Sequence, residues 1–187
     1  HYPGDGVDYR DQHLHPTYNT LKADQWYGSY GKVYENLIAN GLMSVMVGHI
    51  AQPYVAMDTN PELTFEEAMM PATLSKTLLT DVLRGKYGFN GVITSDATIM
   101  GGYCMAMERR KAIPASIMAG CDMLVFNTDF HEDYGYILEA LEDGRLTEQR
   151  LDESVTRILA LKAKYCHKVE NKPVPAAAWH EEAADKA

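Results

Sequence analysis

The fold is decided by residues 91–96, Gly91-Val92-Ile93-Thr94-Ser95-Asp96, an apolar run that ends in a carboxylate. A short continuous run of this kind, bounded by turn residues, is typical of a strand buried on both faces of a parallel sheet. Similar runs lie at 44–50, Ser44-Val45-Met46-Val47-Gly48-His49-Ile50, and at 122–126, Asp122-Met123-Leu124-Val125-Phe126. Helical periodicity alternates with these three runs, so the order of elements predicts a parallel α/β architecture.

The helices are predicted from apolar residues that recur with a period of 3.6 residues. The first runs from Trp26 to Ile38, with Gly41 where a helix C-cap belongs. Further helices are predicted at 74–82, 112–119 and 134–142, and a last one opens at Thr147. Residues 1–20 and the proline-bearing stretch between the first strand and the second helix are predicted to be loops.

Composition excludes several classes of protein. The 187 residues carry 17 Lys and Arg against 26 Asp and Glu, a net charge of −9, which argues against a nucleic-acid binder. With 46% hydrophobic residues the chain is globular, and no apolar run approaches the roughly 18 residues of a membrane span. The three cysteines, an odd number without a CxxC pair, support neither a disulfide framework nor a zinc ribbon.

Polar side chains follow each predicted strand, which indicates a functional site. They are His49 after the first strand, Asp96 after the second, and Asn127 with Asp129 after the third. Carboxyl ends of parallel strands meet at one edge of a sheet or barrel, where α/β proteins bind substrates. Because no GxGxxG follows a strand into a helix, a dinucleotide site is disfavoured.

Position alone leaves two roles open for Asp96. It is either a catalytic carboxylate, or a structural one that caps the next helix or pairs with a buried cation.

The loop that contains Asp11 and His13 has three possible roles. At a spacing of two residues, Asp11 could orient the His13 imidazole for proton transfer. Alternatively, a metal-dependent hydrolase could draw its ligands from the same region, or the loop could simply be solvated. The possible metal ligands are Asp8, Asp11, His13, His15 and His49.

Five segments, taken in order, resemble motifs of glycoside hydrolase family 3, in its β-N-acetylglucosaminidase (NagZ-like) branch. Residues 1–6, His1-Tyr2-Pro3-Gly4-Asp5-Gly6, resemble the tail of the family's K-H-F-P-G motif, and Asp11-Gln12-His13 resembles its D-x-H dyad. Residues 47–50 resemble the A-H-I strand end, and residues 92–100 resemble the S-D-x-x-x-M segment that holds the nucleophile. Residues 157–162 are also typical of the family.

The resemblance implies a retaining glycosidase that acts on terminal β-N-acetylglucosaminides through a covalent glycosyl-enzyme intermediate. Asp96 would be the nucleophile and His13, oriented by Asp11, the acid/base, while His1 and His49 would bind the substrate. No metal and no cofactor are implied. A phosphorylase of the same family stays open as an alternative, because a neutral imidazole does not repel a phosphate dianion as a carboxylate would.

The implied fold is the C-terminal part of a (β/α)8 TIM-type barrel over residues 1–166, followed by a Pro/Ala-rich tail at 167–187. A barrel of this type needs eight strands and about 250 residues, and three strands are predicted here. We therefore expect the N-terminal half of the barrel in the same gene or in a partner chain, and an isolated chain without activity. The expected partner is a carbohydrate substrate, with neither nucleic acid nor membrane, and the cysteine usage favours a cytoplasmic location.

Overall fold

The computed structural model describes residues 1–166, and its centre is a parallel β-sheet. Within these residues the chain forms five strands: β1 (Thr17–Tyr18), β2 (Ser44–Val47), β3 (Ile50–Ala51), β4 (Val92–Ala97) and β5 (Met123–Val125). The predicted tail at 167–187 lies outside the described residues.

The described part of the chain also forms eight α-helices. They are α1 (Ala23–Gly28), α2 (Tyr30–Ala39), α3 (Pro53–Thr59), α4 (Phe65–Ala68), α5 (Gly101–Cys104), α6 (Arg109–Ala119), α7 (Phe130–Glu142) and α8 (Glu148–Tyr165). A 3₁₀ turn (Ala72–Leu74) and a π-helix (Thr77–Lys86) lie between α4 and β4.

All strand pairs are parallel, as the order of elements predicts. The main sheet has the order β2-β4-β5, with Val45 opposite Ile93 and Thr94 opposite Met123, and β1 pairs with β3 in a second, two-stranded sheet. At the free edge of β2, Tyr2 donates its N–H to the Met46 carbonyl and forms a parallel bridge with Val47. The sheet is open, so the described residues do not close a barrel.

One face of the main sheet is covered and the other is not. Val45, Val47 and Ile93 are buried in the main core together with apolar residues of the π-helix. On the opposite face Met46 is 40% exposed and Met123 is also exposed. The prediction that the first strand is buried on both faces is therefore wrong for the described residues, because its second face, with Met46, is exposed.

Several predicted elements differ in extent from those observed. The first predicted helix is broken at Ser29 into α1 and α2, and its apolar residues Val33 and Leu37 are exposed rather than buried. The sequence predicts the first strand over residues 44–50, but the observed strand β2 ends at Val47. His49 therefore lies between β2 and β3. The predicted loops contain β1, α3 and α4, and Pro53 begins α3 at a position where proline is well tolerated.

Thr147 caps α8 through a hydrogen bond from the Arg150 N–H to its side-chain oxygen, which confirms the predicted helix start. Among the described residues, no helix is both long enough and apolar enough to span a bilayer.

Candidate active site

Asp96 lies near the carboxyl end of β4, the central strand of the main sheet, and is only 9% exposed. Its Oδ1 accepts a hydrogen bond from the Ala97 N–H at 2.7 Å. Its Oδ2 is buried and accepts no hydrogen bond from the described residues. An unsatisfied buried oxygen costs about 1–3 kcal/mol, so this atom is available to a ligand or a reacting group.

Neither structural role considered for Asp96 is observed. The next helix, α5, has Met100 at its N-cap position. Within residues 1–166 the ion-pair contact of Asp96 is with His1, whose Nε2 lies 3.3 Å from Oδ2 without hydrogen-bond geometry. The carboxylate is therefore neither a helix cap nor the partner of a buried lysine or arginine.

His1 reaches Asp96 because the first residues of the chain lie along the edge of β2. The Tyr2 carbonyl accepts the Gly48 N–H at 2.9 Å, and the buried Tyr2 hydroxyl donates to the Leu78 carbonyl. A Cβ at position 48 would lie 3.0 Å from the His1 Cβ, so a larger residue there would require a small shift of His1. His1 thus sits between Asp96 and Asp5, whose Oδ2 lies 3.5 Å from its Nδ1.

Asp11 and His13 are in contact, as their spacing predicts. The Asp11 Oδ1 lies 2.7 Å from His13 Nδ1 and also accepts the His13 backbone N–H. Because the carboxylate only accepts hydrogen bonds, Nδ1 carries the proton, which leaves Nε2 for proton exchange. The hydrogen bond to Asp11 raises the pKa of His13, and the imidazole is 64% exposed.

The loop that carries the dyad is bound to the segment just after Asp96. The His13 carbonyl accepts the Gly101 N–H at 2.8 Å, and the Gln12 carbonyl accepts the Gly102 N–H at 3.0 Å. A Cβ at Gly101 would overlap the Leu14 carbonyl, so only glycine permits this contact. The dyad loop and the first residues of α5, which are distant in sequence, are therefore joined by backbone hydrogen bonds near the end of β4.

His49 lies behind the site rather than on its surface. It is 1% exposed, with Nδ1 at 2.7 Å from the Thr73 hydroxyl and Nε2 at 2.9 Å from the Ala97 carbonyl. A carbonyl only accepts, so Nε2 is protonated and Nδ1 accepts from the hydroxyl, while burial lowers the pKa of the ring. Both ring nitrogens of His49 are thus engaged within the chain, and its contact with substrate stays a prediction.

Of the side chains considered as metal ligands, Asp11 and His13 are in contact, but the five do not gather into one site. The Asp8 carboxylate binds Arg10 at 2.6 Å and accepts the Tyr18 N–H, and the hydrogen bonds from Arg10 lower its pKa to about 2. His49 is engaged on both ring nitrogens. Within residues 1–166 no group of three or more His, Cys, Asp or Glu side chains is arranged to hold a metal ion.

The two polar residues after β5 have different roles, since Asp129 only caps a helix, whereas Asn127 is linked through Asp133 and Arg109 to the segment after Asp96. Asp129 caps α7 by accepting the N–H groups of His131 and Glu132. The Asn127 amide donates to Asp133, which forms a bidentate pair with Arg109.

Arg109 in turn donates to the carbonyl and the hydroxyl of Thr98, two residues beyond Asp96. The sequence analysis missed Arg109, Asp133 and Gln12, since nothing in their local patterns distinguishes them from residues on solvated helix and loop faces.

The family model described as the N-terminal domain of glycosyl hydrolase family 3 matches residues 1–161. A β-N-acetylglucosaminidase/β-glucosidase of Cellulomonas fimi is 45% identical over 95% of this chain and 32% of its own length.

Two solved structures show the same fold. One, titled β-glucoside phosphorylase BglX bound to 2FGlc, superposes with a TM-score of 0.86 at 50% identity, over 88% of this chain and 29% of its own. The other, a family 3 β-N-acetylglucosaminidase from Paenibacillus sp. str. FPU-7, has a TM-score of 0.76 at 28% identity, over 87% of this chain and 30% of its own. The chain thus spans about a third of the length of these relatives.

Proposed function

Because the chain belongs to glycosyl hydrolase family 3, we propose that it carries the nucleophile and the acid/base dyad of an enzyme that cleaves β-glycosides with retention of configuration. The observation that carries this proposal is the Oδ2 of Asp96, a buried carboxylate oxygen that accepts no hydrogen bond from residues 1–166. It lies at the carboxyl end of a parallel strand, beside the segment to which the loop of His13 is bound.

In the first step, Asp96 Oδ2 bonds to the anomeric carbon while the bond from that carbon to the leaving oxygen breaks. Protonated His13 gives its Nε2 proton to the leaving oxygen, and Asp11 stabilises the imidazolium at Nδ1. The raised pKa of His13 favours the protonated form that this step needs.

In the second step, neutral His13 takes a proton from water, the water oxygen bonds to the anomeric carbon, and the ester to Asp96 breaks. An imidazole that loses its Nε2 proton in the first step can take one up in the second, so one group acts first as acid and then as base. We propose a terminal β-N-acetylglucosaminide as the substrate, and the double name of the Cellulomonas fimi relative adds β-glucosides to the candidates.

Phosphorolysis is the second candidate, and two observations favour it. One relative at 50% identity is titled a β-glucoside phosphorylase, and the acid/base of this chain is an imidazole rather than a second carboxylate. A phosphate dianion that approaches the glycosyl-enzyme meets no negative charge on neutral His13. Turnover in phosphate buffer and in chloride at equal ionic strength distinguishes the two: faster turnover with a glycosyl phosphate product supports phosphorolysis, and equal rates with free sugar support hydrolysis.

We also propose that the open sheet is part of a (β/α)8 barrel whose remaining strands lie in the same gene or in a partner chain. The support is the exposed face that carries Met46 and Met123, which lie on either side of Thr94 in the neighbouring strands. In a closed barrel this face points inward.

The test of the proposed chemistry is Asp96→Asn in the full-length protein that contains this chain, assayed with aryl β-N-acetylglucosaminides and β-glucosides. Without the nucleophile we expect turnover to fall by about 10⁴-fold or more. Asp129→Asn is the matched control, because asparagine also caps helices well and Asp129 is exposed. Undiminished turnover by Asp96→Asn overturns the assignment.

A further inference from the structure

We propose that Gln12, the residue between Asp11 and His13, is a positioning residue that sets the place of the dyad relative to Asp96. This inference rests on the proposed function, because it assigns a task to Gln12 in the proton transfer by His13. Unlike its two neighbours, which are exposed, Gln12 is 2% exposed.

Both ends of the Gln12 amide and its backbone are engaged. Its Nε2 donates to Asp5 Oδ2 at 3.2 Å, and its Oε1 accepts the backbone N–H of His49 at 2.8 Å. Its carbonyl accepts the Gly102 N–H at 3.0 Å. The Gln12 side chain therefore joins the dyad loop to Asp5 and to His49, just after β2. Its backbone carbonyl binds Gly102, in the segment after β4.

The contact with Asp5 extends to the nucleophile. The same Oδ2 of Asp5 that accepts from Gln12 faces His1 Nδ1 at 3.5 Å, and His1 Nε2 faces Asp96 Oδ2 at 3.3 Å. Two side chains, Asp5 and His1, thus lie between Gln12 and the reacting oxygen of Asp96. In the other direction, the acid/base residue is the next one along the chain. Any shift of Gln12 changes the relative position of the two reacting groups.

Neither the shorter amide nor the isosteric acid can reproduce these bonds. Asparagine is one methylene shorter and cannot reach Asp5 and His49 together. Glutamate keeps the acceptor for the His49 N–H but loses the donor to Asp5, and two carboxylates then face each other. Both substitutions are therefore expected to move the loop while leaving Asp11 and His13 chemically intact.

The experiment measures kcat/KM of the full-length protein on a series of aryl β-glycosides whose phenol leaving groups differ in pKa. A good leaving group needs no proton from His13, whereas a poor one does, so the slope of log kcat/KM against leaving-group pKa reports acid catalysis. A general loss of folded protein lowers all rates equally and leaves that slope unchanged.

For Gln12→Asn and Gln12→Glu we expect a steeper slope than wild type. The loss should be about 10²-fold on the poorest leaving group, the size expected for a misplacement of about 1 Å, and under about threefold on a dinitrophenyl glycoside. His13→Ala serves as the benchmark for full loss of the acid, with the steepest slope. Two Gln12 variants are used so that poor folding of one does not remove the test.

Gln52→Asn is the matched control. Gln52 is also fully buried, and its amide bonds to Asn19, to the Leu21 carbonyl and to the first N–H groups of α3, away from the dyad. We expect this variant to lower the thermal unfolding temperature without a change in slope.

A wild-type slope for both Gln12 variants, together with a steep slope for His13→Ala, overturns the positioning role alone. A wild-type slope for His13→Ala overturns the acid/base assignment, and this inference with it.

Discussion

The imidazole of His13 and the carboxylate of Asp11 are more exposed than the other groups of the site, and their interaction controls the pH range of the proposed reaction. The hydrogen bond that His13 donates to Asp11 raises the pKa of His13. Since the first step needs protonated His13, kcat/KM should fall as the pH rises through that raised pKa. The alkaline limb of the pH profile therefore reports this residue.

Asp11→Asn should move that alkaline limb to lower pH. Asparagine removes the negative charge that favours the imidazolium, so His13 loses its proton at a lower pH and kcat/KM begins to fall earlier. The measurement is the pH profile of kcat/KM for a substrate with a poor leaving group. Asp24→Asn, at an exposed position of α1, should leave the profile in place, and an unshifted limb in Asp11→Asn would contradict the role of the dyad.

Three secondary-structure elements meet at the Asp122 carboxylate, which is fully buried at the start of β5. Its Oδ2 accepts the Ile93 N–H of β4 at 2.9 Å, and its Oδ1 accepts the Ser154 hydroxyl of α8 at 2.9 Å. Three guanidinium groups, from the π-helix and α8, lie around it: Arg84 at 2.6 Å, Arg150 at 3.3 Å and Arg157 at 3.4 Å. This carboxylate therefore holds α8 and the π-helix against the amino ends of β4 and β5.

Asp122→Asn should destabilise the protein by about 3–5 kcal/mol, because it leaves several partly buried arginines without a compensating charge. The measurement is the free energy of unfolding in urea. Asp143→Asn breaks an ion pair on the surface, with Arg145, and should change that free energy little. Equal effects of the two substitutions would show that the buried cluster does not stabilise the packing of these elements.

In the molecule as a whole, one face of the main sheet is left uncovered by the described residues. Met46 and Met123 on this face are as exposed as surface residues, although they lie on strands whose other side forms the core. An apolar sheet face left open to water is unfavourable, and in the proposed barrel it is covered by the strands that complete the ring.

Met46→Lys in the full-length protein tests that proposal. If the face lines a barrel interior, an unpaired ammonium buried there should lower the free energy of unfolding by about 3 kcal/mol or more. Met57→Lys is the control, since Met57 on α3 is similarly exposed, at 37% against 40%. A Met46→Lys protein as stable as Met57→Lys would mean that the face is not covered.

The sequence alone was sufficient for features that depend on near neighbours along the chain. The β4 strand, the Thr147 cap and the contact of Asp11 with His13 each follow from residues at most a few positions apart. The same local patterns could not show that Val33 and Leu37 face water, since burial depends on which elements pack against α2.

By itself, then, the sequence determined the parallel α/β class, the strand that carries Asp96 and the dyad loop, because periodicity and short-range hydrogen bonding are local properties. Only the tertiary structure decided that His49 supports Ala97 from behind, and that Gln12 joins Asp5 to the end of β2. The physical reason is that a buried polar side chain takes whatever donor or acceptor the packing brings to it. That partner can be 48 residues away, as the Ala97 carbonyl is from His49.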